Sequence, residues 1–257
     1  MMQKLTAKLR GFDWRYFRSS GVITLGLAFA RFLGLAFSLV MARLLDPDGY
    51  GYIQYGIALA GVFAIITQPF GQHVLAKIIG KYRERDQETY NAYIEHAWLM
   101  LAAISIVSLV VMALIMLLAN QFDIGIVIVF IGITVFYTYY GIARGFVDNQ
   151  RLLAAYLGSN AVQIIAIIVI YVFLGADTPL PALMVYGASY FLPLVVLIVL
   201  YPFPLRVKLP RVQWPVIIDL LKMTTPIVIS HIGFIVYMSL DLLLLETYVD
   251  DTALCVY

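Results

Sequence analysis

Charged residues are scarce in this chain of 257 residues. Asp, Glu, Lys and Arg together make up 12% of it, whereas hydrophobic residues make up 63%. The mean hydropathy is +0.92. A soluble globular domain is about a quarter charged and about half apolar. The composition therefore excludes an ordinary soluble enzyme or nucleic-acid-binding module and predicts an all-α polytopic membrane protein, with membrane lipids around it and no nucleic acid as partner.

Cysteine and catalytic motifs are also nearly absent. The single cysteine, Cys255, excludes an internal disulfide. The chain contains neither a phosphate-binding Gly-x-x-x-x-Gly-Lys-Ser/Thr loop nor a His-Glu-x-x-His metal motif. Asp46-Pro47-Asp48 resembles a metal-binding Asp-x-Asp, but three such residues are more typical of a turn. We predict no cofactor, no metal site and no enzymatic activity.

Long apolar stretches are what the sequence does contain. Seven of them are long enough to cross a bilayer as helices, which takes about 20 residues each. We predict spans at 20–42, 52–80, 95–119, 124–147, 152–174, 180–201 and 224–246. They divide the chain into an amphipathic N-terminal segment (1–19), a six-helix bundle (20–201), a linker (202–223) and the first helix of a second unit (224–257).

The basic residues lie almost entirely on one side of these spans. The loops on the other side carry only Arg43. Because Lys and Arg concentrate in cytoplasmic loops, the N-terminus is predicted to be cytoplasmic and the protein to lie in the cell membrane. The residues on the basic side are Lys4, Lys8, Arg10, Arg15, Arg18, Lys77, Lys81, Arg83, Arg85, Arg144, Arg151, Arg206, Lys208, Arg211 and Lys222.

The end of the chain loosely repeats its first loop. Residues 45–52 and 249–256 both follow a long apolar helix and both begin with an acidic turn. Both copies start on the basic side, which indicates parallel repeats like the two halves of some transporters. We interpret the chain as the N-terminal part of a longer protein or as the product of a truncated gene, with a missing C-terminal half or a second chain as partner.

Arg31 is the most costly polar residue inside a predicted span. A guanidinium keeps its proton, and placing it near the bilayer centre costs about 2.5–3.5 kcal/mol on insertion scales. Such a residue faces a partner charge, a water-filled cavity or an anionic ligand. One structural alternative is an ion pair between Arg31 and Asp241 of the last span.

Other spans carry stripes of polar residues at helical spacing. Two interpretations remain open, because small and amide side chains join helices as well as line cavities. In the first span Thr24, Arg31 and Ser38 align, and in the second Gln54, Gly61, Gln68 and Gln72, with a kink at Pro69. Later spans align Thr134, Thr138, Gly141 and Gly145, then Tyr156, Asn160 and Gln163, then Ser230, Tyr237 and Asp241.

One segment of the first span and loop is especially specific: Ala42-Arg43-Leu44-Leu45-Asp46-Pro47-Asp48-Gly49-Tyr50-Gly51, preceded by Ala30-Arg31-Phe32-Leu33-Gly34. It resembles polysaccharide biosynthesis proteins, the lipid-linked oligosaccharide flippases of the multidrug/oligosaccharidyl-lipid/polysaccharide (MOP) exporter superfamily. Further matching segments are 71–72, 79–83, 141–146, 221–226 and 240–242. The resemblance covers nearly the whole chain.

The resemblance implies the six-helix N-terminal lobe of a MOP/MATE-like transporter plus the first helix of a second lobe. Its substrate would be a lipid-pyrophosphate-linked glycan that the transporter moves between leaflets, alongside glycosyltransferases or a polymerase of the same pathway. Arg31 would attract the pyrophosphate, with Lys77, Lys81 and Arg144 near the mouth. The expected cavity residues are Arg31, Gln54, Gln68, Gln72, Arg144, Asn160 and Gln163, and Asp241 is a weak candidate for cation coupling.

Three other functions remain open from the sequence. A drug/cation antiporter of the same superfamily would need acidic cavity residues. A membrane-embedded glycosyl- or acyltransferase would need a catalytic acid or histidine, for which Glu95 and His96 are the nearby pair. A scaffold of a polysaccharide assembly complex would need neither.

Overall fold

The computed structural model describes residues 14–84, 87–200 and 212–248, and within these ranges it is helical without strands. The helices are α1 (Trp14–Leu44), α2 (Pro47–Phe63), α3 (Thr67–Tyr82), α4 (Gln87–Leu118), α5 (Ile124–Gly145), α6 (Asn149–Ile168), α7 (Leu180–Ser189), α8 (Phe191–Leu200) and α9 (Trp214–Tyr248).

Most of the predicted spans are present as helices of sufficient length. In the described part of the chain, five helices are long and apolar enough to cross a membrane, or six if the bent pair α2–α3 is one span. The predicted span 180–201 is instead covered by α7 and α8, which meet at Tyr190 and have ten residues each. Each is shorter than the roughly 20 residues that a span requires.

The second span is broken rather than continuous. Helix α2 ends at Phe63, α3 begins at Thr67, and the two are inclined by 64°. Pro69 explains the position, because a proline clashes with the carbonyl four residues earlier, here that of Ile65. A π-helical segment, Phe70–Leu75, follows the proline. The predicted kink is therefore confirmed, but it lies one turn before Pro69 and interrupts the stripe from Gln54 to Gln72.

Helix α5 lies at the centre of the bundle, where glycines let its neighbours approach closely. A Cβ on Gly141 would meet the backbone carbonyl of Gly71 on α3, and one on Gly132 would meet the carbonyl of Gly187 on α7. Thr134 Oγ1 is hydrogen-bonded to Thr67 Oγ1 at 3.1 Å. The stripe of small residues predicted in the fourth span is therefore a helix-packing face and not a cavity lining.

Three helices extend beyond their apolar segments on the basic side. Helix α1 begins at Trp14 rather than 20, α4 at Gln87 rather than 95, and α9 at Trp214 rather than 224. The predicted linker, 202–223, is thus helical from Trp214 onward and continuous with the last span. Hydropathy locates only the apolar part of a helix, whereas the first turns of α4 and α9 contain polar residues that contact each other: Tyr93 donates to Asp219, and Gln213 donates to His96.

Candidate functional site

The charged loops of the basic side converge at one end of the bundle, which we call the basic end. Here α3 and α5 terminate, and α4, α6 and α9 begin. Arg83 after α3 lies over the ring of Phe146 after α5, 5.8 Å from its centroid. The backbone N–H of Gln213, just before α9, donates to His96 Nε2 on α4 at 2.9 Å. These contacts place the predicted basic loops side by side.

A cavity of about 630 Å³ opens at this end between α3 and α9. His73 and Lys77 line it from α3, one helical turn apart, and His231 lines it from α9 with Pro226, Ile227 and Ser230. An adjoining space of about 290 Å³ is lined by His73, Ala76, Lys77 and Arg144. No acidic side chain is among these lining residues. We call the two spaces together the basic-end cavity.

The cationic groups of the basic-end cavity are accessible. Lys77 and Arg144 are both exposed. Arg144 Nη1 lies 3.5 Å from His73 Nδ1, and because a guanidinium can only donate, this nitrogen of the histidine is the acceptor. The arrangement presents N–H donors of lysine and arginine to the same open volume, which suits an anion with several oxygen atoms.

Arg31 lies on α1, away from the basic-end cavity, and its side chain is exposed. It is close enough to the hydroxyls of Tyr137 on α5 and Tyr156 on α6 to interact with both electrostatically. An exposed guanidinium within an apolar span must face water or protein, because exposure to hydrocarbon would cost several kcal/mol. We therefore expect the guanidinium itself to meet water or protein rather than lipid.

A cluster of aromatic rings lies beside Arg31 and includes Tyr137 and Tyr156. The Tyr140 and Tyr156 rings pack edge to face with centroids 5.7 Å apart, and Phe136 packs against Tyr156 at 4.8 Å. Tyr186 and Tyr190 extend the cluster into the bundle, where the Tyr190 hydroxyl donates to that of Tyr186 at 3.1 Å. Tyr137, Tyr140 and Tyr156 are only half-buried, so this edge of the cluster is accessible.

Helix α5 connects the two cationic positions. Tyr137, beside Arg31, and Arg144, beside His73, are seven residues apart on α5. That spacing is two helical turns, or about 10 Å along one face. Arg31, the half-buried tyrosines and Arg144 are thus positioned along one face of α5, which we call the polar face.

The amide residues predicted for the cavity lie in different parts of the bundle. Asn160 is near Arg31, because its Oδ1 would lie 3.4 Å from a Cβ on Gly34, one turn after Arg31 on α1. Gln54 is exposed on α2, on the far side of the break, while Gln68 and Gln72 are half-buried on α3. Asn160 Nδ2 donates to the backbone carbonyl of Tyr156 at 2.8 Å. Gln163 is 2% exposed and lies inside the bundle, out of reach of a ligand in this conformation. Substrate contacts by these amides stay a prediction.

Two further predictions concern acidic residues. Asp241 belongs to α9, but its side chain is outside the part that the structure describes, so both its cation role and its pairing with Arg31 stay predictions. Asp46 caps α2, accepting from the backbone N–H of Gly49 at 3.0 Å. This is the turn role that the sequence predicts for Asp46-Pro47-Asp48. The described residues include no cluster of three metal-ligating side chains.

His96 has a structural role. It is fully buried, and its Nδ1 bonds to the carbonyl of Ala92 at 2.7 Å while Nε2 accepts from Gln213. With both ring nitrogens engaged, His96 is not positioned to act as the acid or base of a transferase.

A second set of contacts, which we call the basic-end clamp, ties α9 to α3 and α4. Asp219 Oδ2 accepts from the hydroxyls of Tyr93 at 2.8 Å and Tyr82 at 3.4 Å, and these two rings stack with centroids 4.1 Å apart. Lys81 donates to the Tyr82 hydroxyl at 2.9 Å. Lys81, predicted near the mouth, therefore belongs to the clamp rather than to the cavity lining.

Sequence reasoning missed His73, His231 and the tyrosine cluster apart from Tyr156. The histidines are 158 positions apart, so only the packing of α9 on α3 shows that they line one cavity. One signal was available: His73 and Lys77 are four residues apart and share a helical face. The tyrosines resemble ordinary apolar core residues in a hydropathy profile.

The helices and the polar face define a multi-pass helical membrane protein. The sequence model of the polysaccharide biosynthesis protein family matches residues 17–257, and the chain belongs to that family. It has a role in polysaccharide biosynthesis. No curated protein and no solved structure shows significant similarity to the chain.

Proposed function

We propose that the protein transports lipid-linked oligosaccharide or polysaccharide precursors across the cell membrane, as a flippase working by alternating access. The observation that carries the proposal is the polar face that runs from the basic-end cavity to Arg31. A polyanionic headgroup with attached sugars needs cations to hold it and a water-accessible route through an apolar bundle. The family's role in polysaccharide biosynthesis supplies the substrate class.

Capture of the headgroup begins at the basic end. Lys77 and Arg144 are exposed at the cavity and bind the pyrophosphate of the lipid carrier from the side predicted to be cytoplasmic. Each hydrogen bond between a cation and a phosphate oxygen is about twice as strong as one between neutral groups. Binding remains reversible, because the cavity is open and both cations are partly hydrated.

Arg31 then receives the pyrophosphate deeper in the bundle. A guanidinium holds two phosphate oxygens in a fixed planar geometry, which lysine does not. The half-buried Tyr137, Tyr140 and Tyr156 offer ring faces and hydroxyls to the sugars. The isoprenoid chain stays in the lipid beside the bundle, so only the polar headgroup follows the polar face.

The competing functions fit the site less well. A drug/cation antiporter needs acidic groups in its cavity, whereas the lining residues described here are cationic or neutral. A membrane-embedded transferase would rely on His96, which is buried and engaged with Gln213. We therefore favour transport without covalent chemistry.

The proposal extends to location and partners. The protein resides in the cell membrane with its basic end in the cytoplasm, following the asymmetry of Lys and Arg. The exposed polar face around Arg31 is completed by further protein, either a second lobe or a second chain, because lipid cannot cover it. Glycosyltransferases and a polymerase of the same pathway supply and consume the substrate.

A deletion strain tests the function class. We expect loss of the surface polysaccharide, accumulation of its lipid-linked precursor, and restoration of polymer by an unrelated flippase that handles the same precursor. Rescue by an unrelated flippase would show that the activity missing from the deletion strain is transport. Failure of every competent flippase to rescue, with restoration by the protein itself, would instead favour an enzyme or a scaffold.

A further inference from the structure

His73 occupies a distinctive position in the basic-end cavity. It is half-buried on α3, lines both parts of the cavity together with Lys77, and lies 3.5 Å from Arg144. The titratable or charged groups that face it are Arg144 from α5, His231 from α9 and Lys77 from its own helix. Every one of them is basic.

The guanidinium of Arg144 lies next to the imidazole of His73 in this conformation. Arg144 Nη1 is 3.5 Å from His73 Nδ1, and because a guanidinium can only donate, Nδ1 can face it only as an acceptor. A proton added there would remove the acceptor and place an imidazolium against a guanidinium. In the empty cavity the surrounding charges therefore oppose protonation of His73.

An anion in the cavity reverses this balance. A phosphate group held by Lys77 and Arg144 would turn the guanidinium donors toward its own oxygens and leave His73 Nδ1 without a donor. A protonated imidazole would then face a negative charge and supply one more N–H to it. The same histidine that is disfavoured as a cation without the anion becomes favoured with it.

We propose that the basic-end cavity binds a phosphate or pyrophosphate group together with one proton, and that His73 is the residue that takes up this proton from solvent. The inference rests on the proposed function for the source of the phosphate. By linkage, if the anion raises the proton affinity of His73, then the proton raises the affinity for the anion by the same factor. The protein thereby couples headgroup capture to pH.

The test measures binding to the purified full chain in detergent by calorimetry. The probes are inorganic pyrophosphate and, separately, farnesyl pyrophosphate in micelles, so that a free and a lipid-borne source are distinguished. Binding is compared at about pH 5.5 and about pH 8.5, on either side of the ordinary histidine pKa near 6.5. Two buffers of different ionisation enthalpy count the protons taken up.

The decisive comparison is wild type with His73→Gln, because glutamine can accept from Arg144 but does not titrate. The probe's own titration affects its binding to both proteins equally, so it cancels when the two pH dependences are compared. Between about pH 8.5 and about pH 5.5, we expect the affinity of wild type for the probe to increase about tenfold more than the affinity of the variant. A tenfold difference corresponds to a shift of about one pKa unit in one group. Wild type should also take up about half a proton more per bound probe at a pH midway between the two pKa values, which is the most that a shift of about one unit allows. His73→Asn is the second variant if His73→Gln does not fold.

Two control variants sharpen the result. Arg83→Gln removes a cation at the same end but outside the cavity, and it should keep the wild-type pH dependence. His231→Gln removes the other histidine of the cavity, and this variant should keep most of the wild-type pH dependence. If the pH dependence disappears with His231→Gln and survives His73→Gln, the assignment to His73 is wrong.

Equal pH dependence in wild type and His73→Gln, or no binding of either probe, would overturn the proposal. Binding of inorganic pyrophosphate alone, with proton uptake, would support it and assign the site to a free anion. The proposed transport function fails separately: it would be contradicted by absence of glycan-lipid movement in a protein that still binds the anion with its proton.

Discussion

At the scale of single residues, Arg31 and the backbone glycines have opposite requirements. Arg31 must keep its surroundings open to water or protein, whereas Gly141 and Gly71 allow two backbones to touch. The sequence identified Arg31 because a charge in an apolar span has a large and calculable cost. It did not distinguish glycines at helix contacts from those in open positions, since that difference depends on which helices are neighbours.

The contact at Gly141 leads to a stability prediction. We expect Gly141→Ala to destabilise the protein by about 1–3 kcal/mol, because the new Cβ must displace α3 at the Gly71 carbonyl. Gly80→Ala is the matched control, since a Cβ there meets nothing within 4 Å. The measurement is the apparent unfolding temperature in detergent.

Gly80→Ala should unfold at the wild-type temperature or slightly above it, because alanine favours helix by up to about 1 kcal/mol over glycine. Equal unfolding temperatures for Gly141→Ala and Gly80→Ala would show that α3 and α5 do not pack through their glycines.

At the scale of helices, α9 is held to the rest of the bundle by polar contacts at its first turns. His96 accepts from the N–H of Gln213, and Asp219 accepts from Tyr93 and Tyr82. These contacts explain why α9 begins at Trp214, well before its apolar segment. A hydropathy profile cannot anticipate them, because the partners are on α3 and α4, more than 100 residues away in sequence.

Removing one of these bonds should loosen the start of α9 without unfolding the bundle. We expect Tyr93→Phe to weaken the basic-end clamp by about 1.5 kcal/mol, at the low end for a bond to a charged group because Tyr93 is half-exposed. Hydrogen exchange of backbone amides in the first two turns of α9 should become faster. The unfolding temperature should change little.

Tyr55→Phe provides the comparison for this prediction. It removes the same hydroxyl from an exposed, 3.5 Å contact with Gln121 at the opposite end of the bundle. A bond at that distance contributes little, so exchange in α9 should match wild type. Unchanged exchange in Tyr93→Phe as well would contradict the role of the clamp.

At the scale of the whole molecule, composition and charge placement were sufficient to predict the class and most helix positions. The break after Phe63 was foreseeable from Pro69, although its 64° angle was not. The site was only half predictable. Arg31 and Arg144 are signalled by their charge, whereas Gln163 is buried inside the bundle and His73 lies in the cavity. Helical periodicity indicates which residues share a face, and packing alone decides what that face meets.

The central claim is that the molecule moves lipid-linked glycans along the polar face that contains Arg31. Its most direct test is a flipping assay in vesicles that contain the purified full chain and a fluorescent lipid-pyrophosphate-linked oligosaccharide. An impermeant quencher reports which leaflet holds the lipid. We expect wild type to equilibrate the two leaflets and Arg31→Lys to do so at least about tenfold more slowly, a loss of about 1.4 kcal/mol.

The matched control is Arg43→Lys, the same substitution at the far end of α1 and away from the tyrosine cluster, which should flip at the wild-type rate. Fast flipping by wild type and Arg43→Lys with slow flipping by Arg31→Lys is the predicted result. Equal rates in all three proteins would contradict the role of Arg31, and no flipping by the wild-type protein together with the lobe or chain that completes its polar face would contradict the transport function itself.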